Sequence, residues 1–355
     1  MTIIANVKDE KGNPIKLELK QPAFLVGNGI NRADGCTMSW EQLMIEILPE
    51  EIQKHFSKKS GDENLFFKFN SASTSVQIAV DIPGKQKNDE LTYPEIAELA
   101  LSKRSPEEYD EDSKPKFLEI VRETIQRGIE EGTPSNFNHE NLSVFAQENN
   151  IPILTTNFDR NFLKTPCFKG KNPNSIDLHW VNQPPKATKD YQTMKNACFS
   201  PKGISNIHSE FAIWPIHGVI GKKTCPLCLT NWDYGNYCAK IKEISKEKKW
   251  DDHKNDSTWV DIFLDNDLII MGLGLNSSET DLRALLVERE IKQKINAKIE
   301  KSKKPHKKAH TIYIYRKEAE SEDMPDSKRL FFESLGVICV PMNQEEIYEV
   351  QKYLK

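Results

Sequence analysis

From Asp267 to Lys355 the chain alternates short apolar runs with amphipathic segments: "DLIIMGLG", "SSETDLRALLVEREIKQKI", "HTIYIYR", "DSKRLFFESLG", "VICVP" and "NQEEIYEVQKYLK". The apolar runs read as strands buried on both faces, and the segments with apolar residues three and four apart read as helices. Strands joined by helices lie parallel, because a helical connection returns the chain to the end of the sheet it left. Few folds satisfy this alternation. The expectation is an α/β fold: a Rossmann-like parallel sheet with helices on both faces.

The same grammar appears earlier. "TIIANV" and "IKLELK" flank a turn and read as a hairpin running into the apolar strand "AFLVG". "SWEQLMIEILPEEIQKHF" reads as a helix with Ser39 as N-cap and Glu41 in the first turn. The following residues carry few strand signals, so residues 41–137 are expected to form a mainly helical insertion. It separates an N-terminal part, residues 1–40, from the remainder of the sheet domain, residues 138–355. Within the insertion, "SKRSPEEYDEDSKPK" reads as a solvated loop. "NHENLSVFAQENN" reads as a helix and "IPILTTNFD" as a buried strand. Lys164 to Glu210 has little periodicity and is expected to be a loop over a site. "FAIWPIHGVIG" and "PLCLT" read as further apolar strand segments, with a helix beginning near Tyr234.

A net charge of -4, with 29% charged and 37% hydrophobic residues, fits a globular chain with a solvated surface. It supplies no electrostatic case for nucleic acid as a direct partner. The longest apolar stretch, Leu268 to Leu275, is too short to span a bilayer, and no membrane association is expected. The first residues lack a basic segment followed by an apolar one, and the seven cysteines are odd in number and scattered. Together they suggest a reducing, cytoplasmic setting.

In a doubly wound sheet, ligands bind beyond the carboxyl ends of the strands. Every unusual motif falls at such an end: "GNGIN", "TTNFD", "HG" and "GLGLNSSETD". Gly27 and Gly29 lack a Cβ, so their loop can take positive φ and bring backbone N–H groups to an anion. Four polar or glycine-rich strand ends meeting in one crevice favour a phosphate cradle over an ordinary turn.

These residues also carry a family resemblance. Gly27-Asn28-Gly29-Ile30-Asn31 resembles the sirtuin Gly-Ala-Gly-Ile-Ser loop, and Thr155-Thr156-Asn157-Phe158-Asp159 resembles the sirtuin Thr-Gln-Asn-Ile-Asp strand end. Ile216-His217-Gly218 looks like the segment with the sirtuin catalytic histidine, and "IIMGLGLNSSETDLRALL" is similar to a loop and helix of the divergent sirtuin-like group. The order matches from about residue 20 to about 345.

The resemblance implies NAD binding, with Asn157 and His217 as the catalytic pair. It is closest to bacterial anti-phage defence proteins that hydrolyse NAD to nicotinamide and ADP-ribose. Gly27, Asn28, Gly29, Asn31, Thr155, Asp159, Gly272, Gly274 and Asn276 would then contact NAD. Asn31 stands in place of the usual serine. "RADGCTMSWEQL" replaces the standard Gly-Ile-Pro-Asp-Phe-Arg stretch, which weighs against the rival reading as a protein deacylase. A second rival is a non-enzymatic NAD or ADP-ribose scaffold.

The residue chemistry suits the hydrolase. Nicotinamide loss builds oxocarbenium character on the ribose. An asparagine amide offers donors and an acceptor for ribose hydroxyls and water, and a histidine can take a proton near neutral pH. Asp159 can accept a ribose hydrogen bond or fix the loop, and Asn276 and Asp281 can cap the following helix. Toxic NAD loss needs restraint, so homo-oligomerisation or a partner such as a HerA-type ATPase is expected to switch the activity.

Cys225-Pro226-Leu227-Cys228 lies where sirtuins place half of a zinc site. Only Cys238 follows nearby, and His253 would have to supply a fourth ligand, so no metal is expected. "KSKKPHKKAH", Lys301 to His310, reads as a solvated basic loop.

Overall fold

The computed structural model describes residues 2–9, 11–50, 66–69, 76–82, 85–102, 113–171, 176, 179–180, 197–202, 204–221, 225, 227–247, 258–275, 279–299, 309–317, 324–343 and 345–355. Its centre is a six-stranded parallel sheet built from β3 (Pro22–Val26), β7 (Ile153–Thr155), β10 (Ile213–Pro215), β11 (Asp267–Met271), β12 (Thr311–Arg316) and β13 (Val337–Met342). The spatial order is β10-β7-β3-β11-β12-β13, and every adjacent pair is parallel. Counted in the order they enter this sheet, the strands run third, second, first, fourth, fifth, sixth. That is the doubly wound Rossmann order, and its topological switch point falls between β3 and β11.

The apolar runs form strands because both faces are covered. Every residue of β3 and of β11 is buried. Phe24, Val26, Ile153, Ile269, Met271 and Ile312 join one hydrophobic cluster. Their neighbours Ala23, Leu25, Leu154, Leu268, Ile270 and Tyr313 join another. Alternate residues therefore face opposite layers, as the pleat requires. The helices α8 (Thr280–Ile299) and α9 (Asp326–Ser334) follow β11 and β12 respectively.

The N-terminal hairpin forms as expected. β1 (Thr2–Lys8) pairs antiparallel with β2 (Pro14–Lys20). The C-terminus departs from expectation: "NQEEIYEVQKYLK" yields only one helical turn, α10 (Val350–Tyr353). Its backbone is drawn elsewhere, since Ile4 and Lys355 exchange hydrogen bonds of 2.7 and 3.0 Å and Leu354 bridges Ala5. Ile347, Tyr348, Val350, Tyr353 and Leu354 enter the core from this irregular segment.

In the insertion, α2 (Trp40–Glu46) starts at Ser39 with a reciprocal capping box to Gln42. It stops at Glu46 rather than running on, because Pro49 disfavours helical backbone in the residue before it. Two more helices lie here, α3 (Tyr93–Ser102) and α4 (Ser113–Ile125), the latter continuing into a π-turn at Gln126–Glu130. A three-stranded antiparallel sheet also lies here: β4 (Phe66–Phe69), β5 (Val76–Ile82) and β6 (Lys85–Leu91). The charged stretch expected as a loop is helical from Ser113 onward, and residues 103–112 lie outside the described residues.

The insertion has its own core, and the sheet domain supplies part of it. Leu43, Ile96, Phe117 and Val121 cluster with Phe158, Ile220, Leu227 and Leu229. "PLCLT" forms no strand among its described residues. Its leucines pack into the insertion core while Cys228 N–H donates to His217 O at 2.9 Å, so burial is achieved without a ladder. Between Lys164 and Glu210 the structure shows short 3-10 turns and the pair β8 (His179–Trp180) with β9 (Ala197–Cys198). Residues 181–196 lie outside the described residues. Among the described residues no helix is long and apolar enough to cross a membrane.

Candidate active site

At the switch point the loops leaving β3 and β11 lie directly against each other. Gly27 N–H donates to Met271 O at 3.1 Å and Gly29 N–H to Gly272 O at 2.9 Å. A Cβ on Gly27 would stand 2.5 Å from Gly272 O, and one on Gly29 would stand 2.6 Å from Gly272 Cα. The glycines are therefore required by close approach of two backbones. This corrects the expectation of positive φ at these two positions: neither adopts it, and Gly272 does, at +65°. It also engages two of the N–H groups expected to face an anion. The helix that follows, Gly29–Ala33, is a single short turn.

Asn157 and His217 occupy equivalent positions on neighbouring strands. Thr155 and Pro215 are paired in register, and each candidate stands two residues further along. Parallel pairing continues past the strands, with Ile216 N–H donating to Thr155 O at 2.9 Å and Thr156 N–H to Val26 O at 3.1 Å. Asn157 is 1% exposed. Its Nδ2 donates to Gly27 O at 3.3 Å, and its N–H donates to Thr155 Oγ1 at 3.1 Å. Its Oδ1 is buried with no hydrogen-bond partner among the described residues. Buried acceptors are rarely left so, and an orphan of this kind at the carboxyl end of a strand suits a ligand or water.

The remaining polar residues of the two motifs tie the loops together. Asn31 Nδ2 donates to Asn28 Oδ1 at 2.8 Å and to Asp159 Oδ2 at 2.7 Å. Asp159 Oδ1 accepts from Asn161 N–H at 3.0 Å, and Asn161 Nδ2 donates to Asn31 Oδ1 at 2.8 Å. Burial raises the Asp159 carboxyl above its ordinary range, against the opposing pull of the His139 charge and the hydrogen bonds from Asn161 and Asn31. Both Asp159 oxygens are committed to protein donors, which favours the loop-fixing role over a ribose contact.

His217 has a partner that sequence reasoning assigned elsewhere. Its Nε2 lies 2.8 Å from Asp281 Oδ2, where Asp281 was expected to cap a helix. Tyr234 and Tyr237 stand edge-on to the imidazole, at centroid distances of 5.4 and 5.9 Å. Tyr237 Oη donates to Ile216 O at 2.5 Å and fixes the backbone before the histidine. Burial raises both phenols well above their ordinary range, so they remain protonated at neutral pH. Gly218 takes φ of +99°, which allows the chain to turn after His217.

Two arginines join this region to the insertion. Arg122 of α4 donates to Val219 O at 3.3 Å and to Cys225 O at 2.7 Å, bracketing the segment after His217. Arg160, next to Asp159, meets buried Glu130 through Nε at 2.8 Å and Nη2 at 2.5 Å. On the β11 side, Lys328 Nζ donates to Gly274 O, and Tyr313 Oη donates to Leu273 O at 2.9 Å. Gly274 is thereby placed on a pinned loop. Asn276 lies outside the described residues. Asp34, His139 and Tyr348 were not anticipated: a Cβ on Gly272 would collide with Tyr348 Oη, which is itself buried without a partner among the described residues.

Among the described residues, no group of three or more His, Cys, Asp or Glu side chains is arranged to hold a metal ion. Burial and the Asp281 charge push the Cys238 thiol up to about 11. His253 and residues 301–308 of the basic run lie outside the described residues. A scan of the sequence against protein-family models finds no match, and a search of curated proteins finds none either.

Proposed function

We propose that this chain is a sirtuin-like NAD hydrolase that releases nicotinamide and ADP-ribose. The observation that carries the reading is the Asn157 carboxamide. It sits at the carboxyl end of a central strand, is anchored to Gly27 O, and keeps a buried oxygen that has no partner among the described residues. A ribose hydroxyl or a water is the kind of donor such an oxygen accepts. His217 stands at the register-equivalent position on the next strand and supplies the proton acceptor.

The chemistry follows from these roles. The N-glycosidic bond breaks with its electron pair moving onto the nicotinamide ring nitrogen, which discharges the cationic ring. Positive charge develops at C1′. Asn157 orients water, whose oxygen forms the new bond to C1′ while its proton passes to His217. Nicotinamide, ADP-ribose and one proton result. A positioned base contributes roughly 10²–10⁴-fold to such a step.

Control by assembly, or by a partner such as a HerA-type ATPase, belongs to the same proposal, as does a role in anti-phage defence. The insertion core shares Phe158 and Ile220 with the strand ends that carry Asn157 and His217. A change at the insertion surface thus reaches both residues through packed side chains. The test is product analysis of NAD incubated with the full chain over a range of protein concentrations, with and without an acylated lysine peptide. Equimolar nicotinamide and ADP-ribose without peptide supports the hydrolase; nicotinamide release that requires peptide overturns it in favour of a deacylase.

A further inference from the structure

Asp281 occupies the second position of α8, where a carboxylate ordinarily serves the positive end of a helix. Its side chain turns inward. Oδ2 is 2.8 Å from His217 Nε2, the Asp281 and His217 side chains are 0% and 3% exposed, and Asp281 Oδ1 is buried without a partner among the described residues. Removing a carboxylate completely from water carries a large solvation cost unless it is paired. Here that cost is incurred at the imidazole.

The ring has little freedom to answer any other way. Two tyrosine edges flank it, Tyr237 holds the carbonyl before it, and Cys228 N–H holds the His217 carbonyl. A neutral imidazole donates from one nitrogen and accepts at the other, and a carboxylate only accepts. The nitrogen facing Asp281 is therefore the one that carries the proton.

We propose that Asp281 is the positioning residue for His217: it keeps the proton on Nε2 and leaves the lone pair on Nδ1, making Nδ1 the atom that receives the proton from water. The second half of this statement rests on the hydrolase reading, whereas the tautomer is a property of the resting protein. When the water O–H bond breaks, its electron pair stays with the oxygen that bonds C1′, and the proton moves to Nδ1. The imidazolium so formed faces the Asp281 carboxylate, which stabilises it.

Asp281→Asn preserves shape but places an amide donor against Nε2, which draws the lone pair there and moves the proton to Nδ1. The experiment is a two-bond ¹⁵N–¹H correlation spectrum of the full chain labelled at histidine, with the His217 signals assigned by loss in His217→Gln. The expected result is protonated Nε2 in the wild type and protonated Nδ1 in Asp281→Asn. Nicotinamide release by that variant should fall about 10²–10⁴-fold in kcat. KM should stay within about twofold and Asp281→Glu should recover part of the rate, the pattern of a group acting on the chemical step.

A wild-type ring protonated on Nδ1 overturns the proposal and needs no variant to fold. So does Asp281→Asn turning over at the wild-type rate while His217→Ala is inactive; the hydrolase reading would survive that result. If the wild type releases no nicotinamide, the wild-type tautomer alone decides the positioning.

Discussion

His139 Nδ1 lies 2.5 Å from Asp34 Oδ2, and neither side chain reaches solvent. Asp34 also accepts from the N–H groups of Asn138 and His139, at 2.8 and 3.2 Å, in the first turn of α5 (Phe137–Glu148). One carboxylate thus holds the turn after the glycine loop against the start of the helix that leads into β7. Asp34→Ala leaves the buried His139 ring and the N–H groups of Asn138 and His139 without their acceptor, and is expected to cost at least about 1–3 kcal/mol in urea unfolding.

The same pair sets an acid limb. Burial pushes the Asp34 carboxyl up, but the hydrogen bonds from His139 and Asn138 and the His139 charge together hold it below its ordinary value. A lowered folded value means the unfolded chain binds the proton first. The stabilisation is therefore complete above about pH 4 and lost as pH falls through the folded value. Asp159, raised by burial, acts with the opposite sign: it detracts from stability above its folded value, and that loss is relieved as the carboxyl protonates. Urea midpoints below about pH 4 should fall more steeply in the wild type than in Asp34→Asn.

Gly27→Ala introduces a Cβ that would stand 2.5 Å from the Gly272 carbonyl oxygen. Both groups are backbone at a strand end, so neither can rotate away. Forced overpacking of this kind costs about 1–3 kcal/mol. The variant should unfold at lower urea and, by displacing the loop whose Gly27 carbonyl anchors Asn157, lose at least about tenfold in nicotinamide release, the equivalent of about 1.4 kcal/mol.

Arg122→Ala removes the two hydrogen bonds that this side chain donates to the segment following His217. Charge-assisted bonds of this type contribute about 1.5–3 kcal/mol. Faster amide exchange at Val219 and Ile220 is expected, with loss of activity and little change in the exchange of β11 or β12. Protection unchanged at Val219 would show that the insertion does not brace this loop.

The sheet was legible because its strands are buried on both faces and therefore continuously apolar, as in "AFLV" and "LIIM". The strand ends were legible because glycine and asparagine interrupt those runs. What escaped notice depends on pairs distant in sequence. Asp281 meets His217 across 64 positions and Asp34 meets His139 across 105, so local pattern carried no sign of either. β6 reads "KQKNDEL", with no apolar alternation, and its ladder to β5 was invisible in the sequence. The expected C-terminal helix failed for a related reason: its last residues satisfy their backbone on β1, a partner at the other end of the chain.

The most direct test of the account compares the wild type with Asn157→Ala at matched protein concentration, reading nicotinamide release from NAD together with the urea midpoint. The account predicts release by the wild type, a fall of at least about 100-fold in the variant, equivalent to about 2.7 kcal/mol, and a midpoint showing that the variant is folded. Equal release by a folded Asn157→Ala would contradict it.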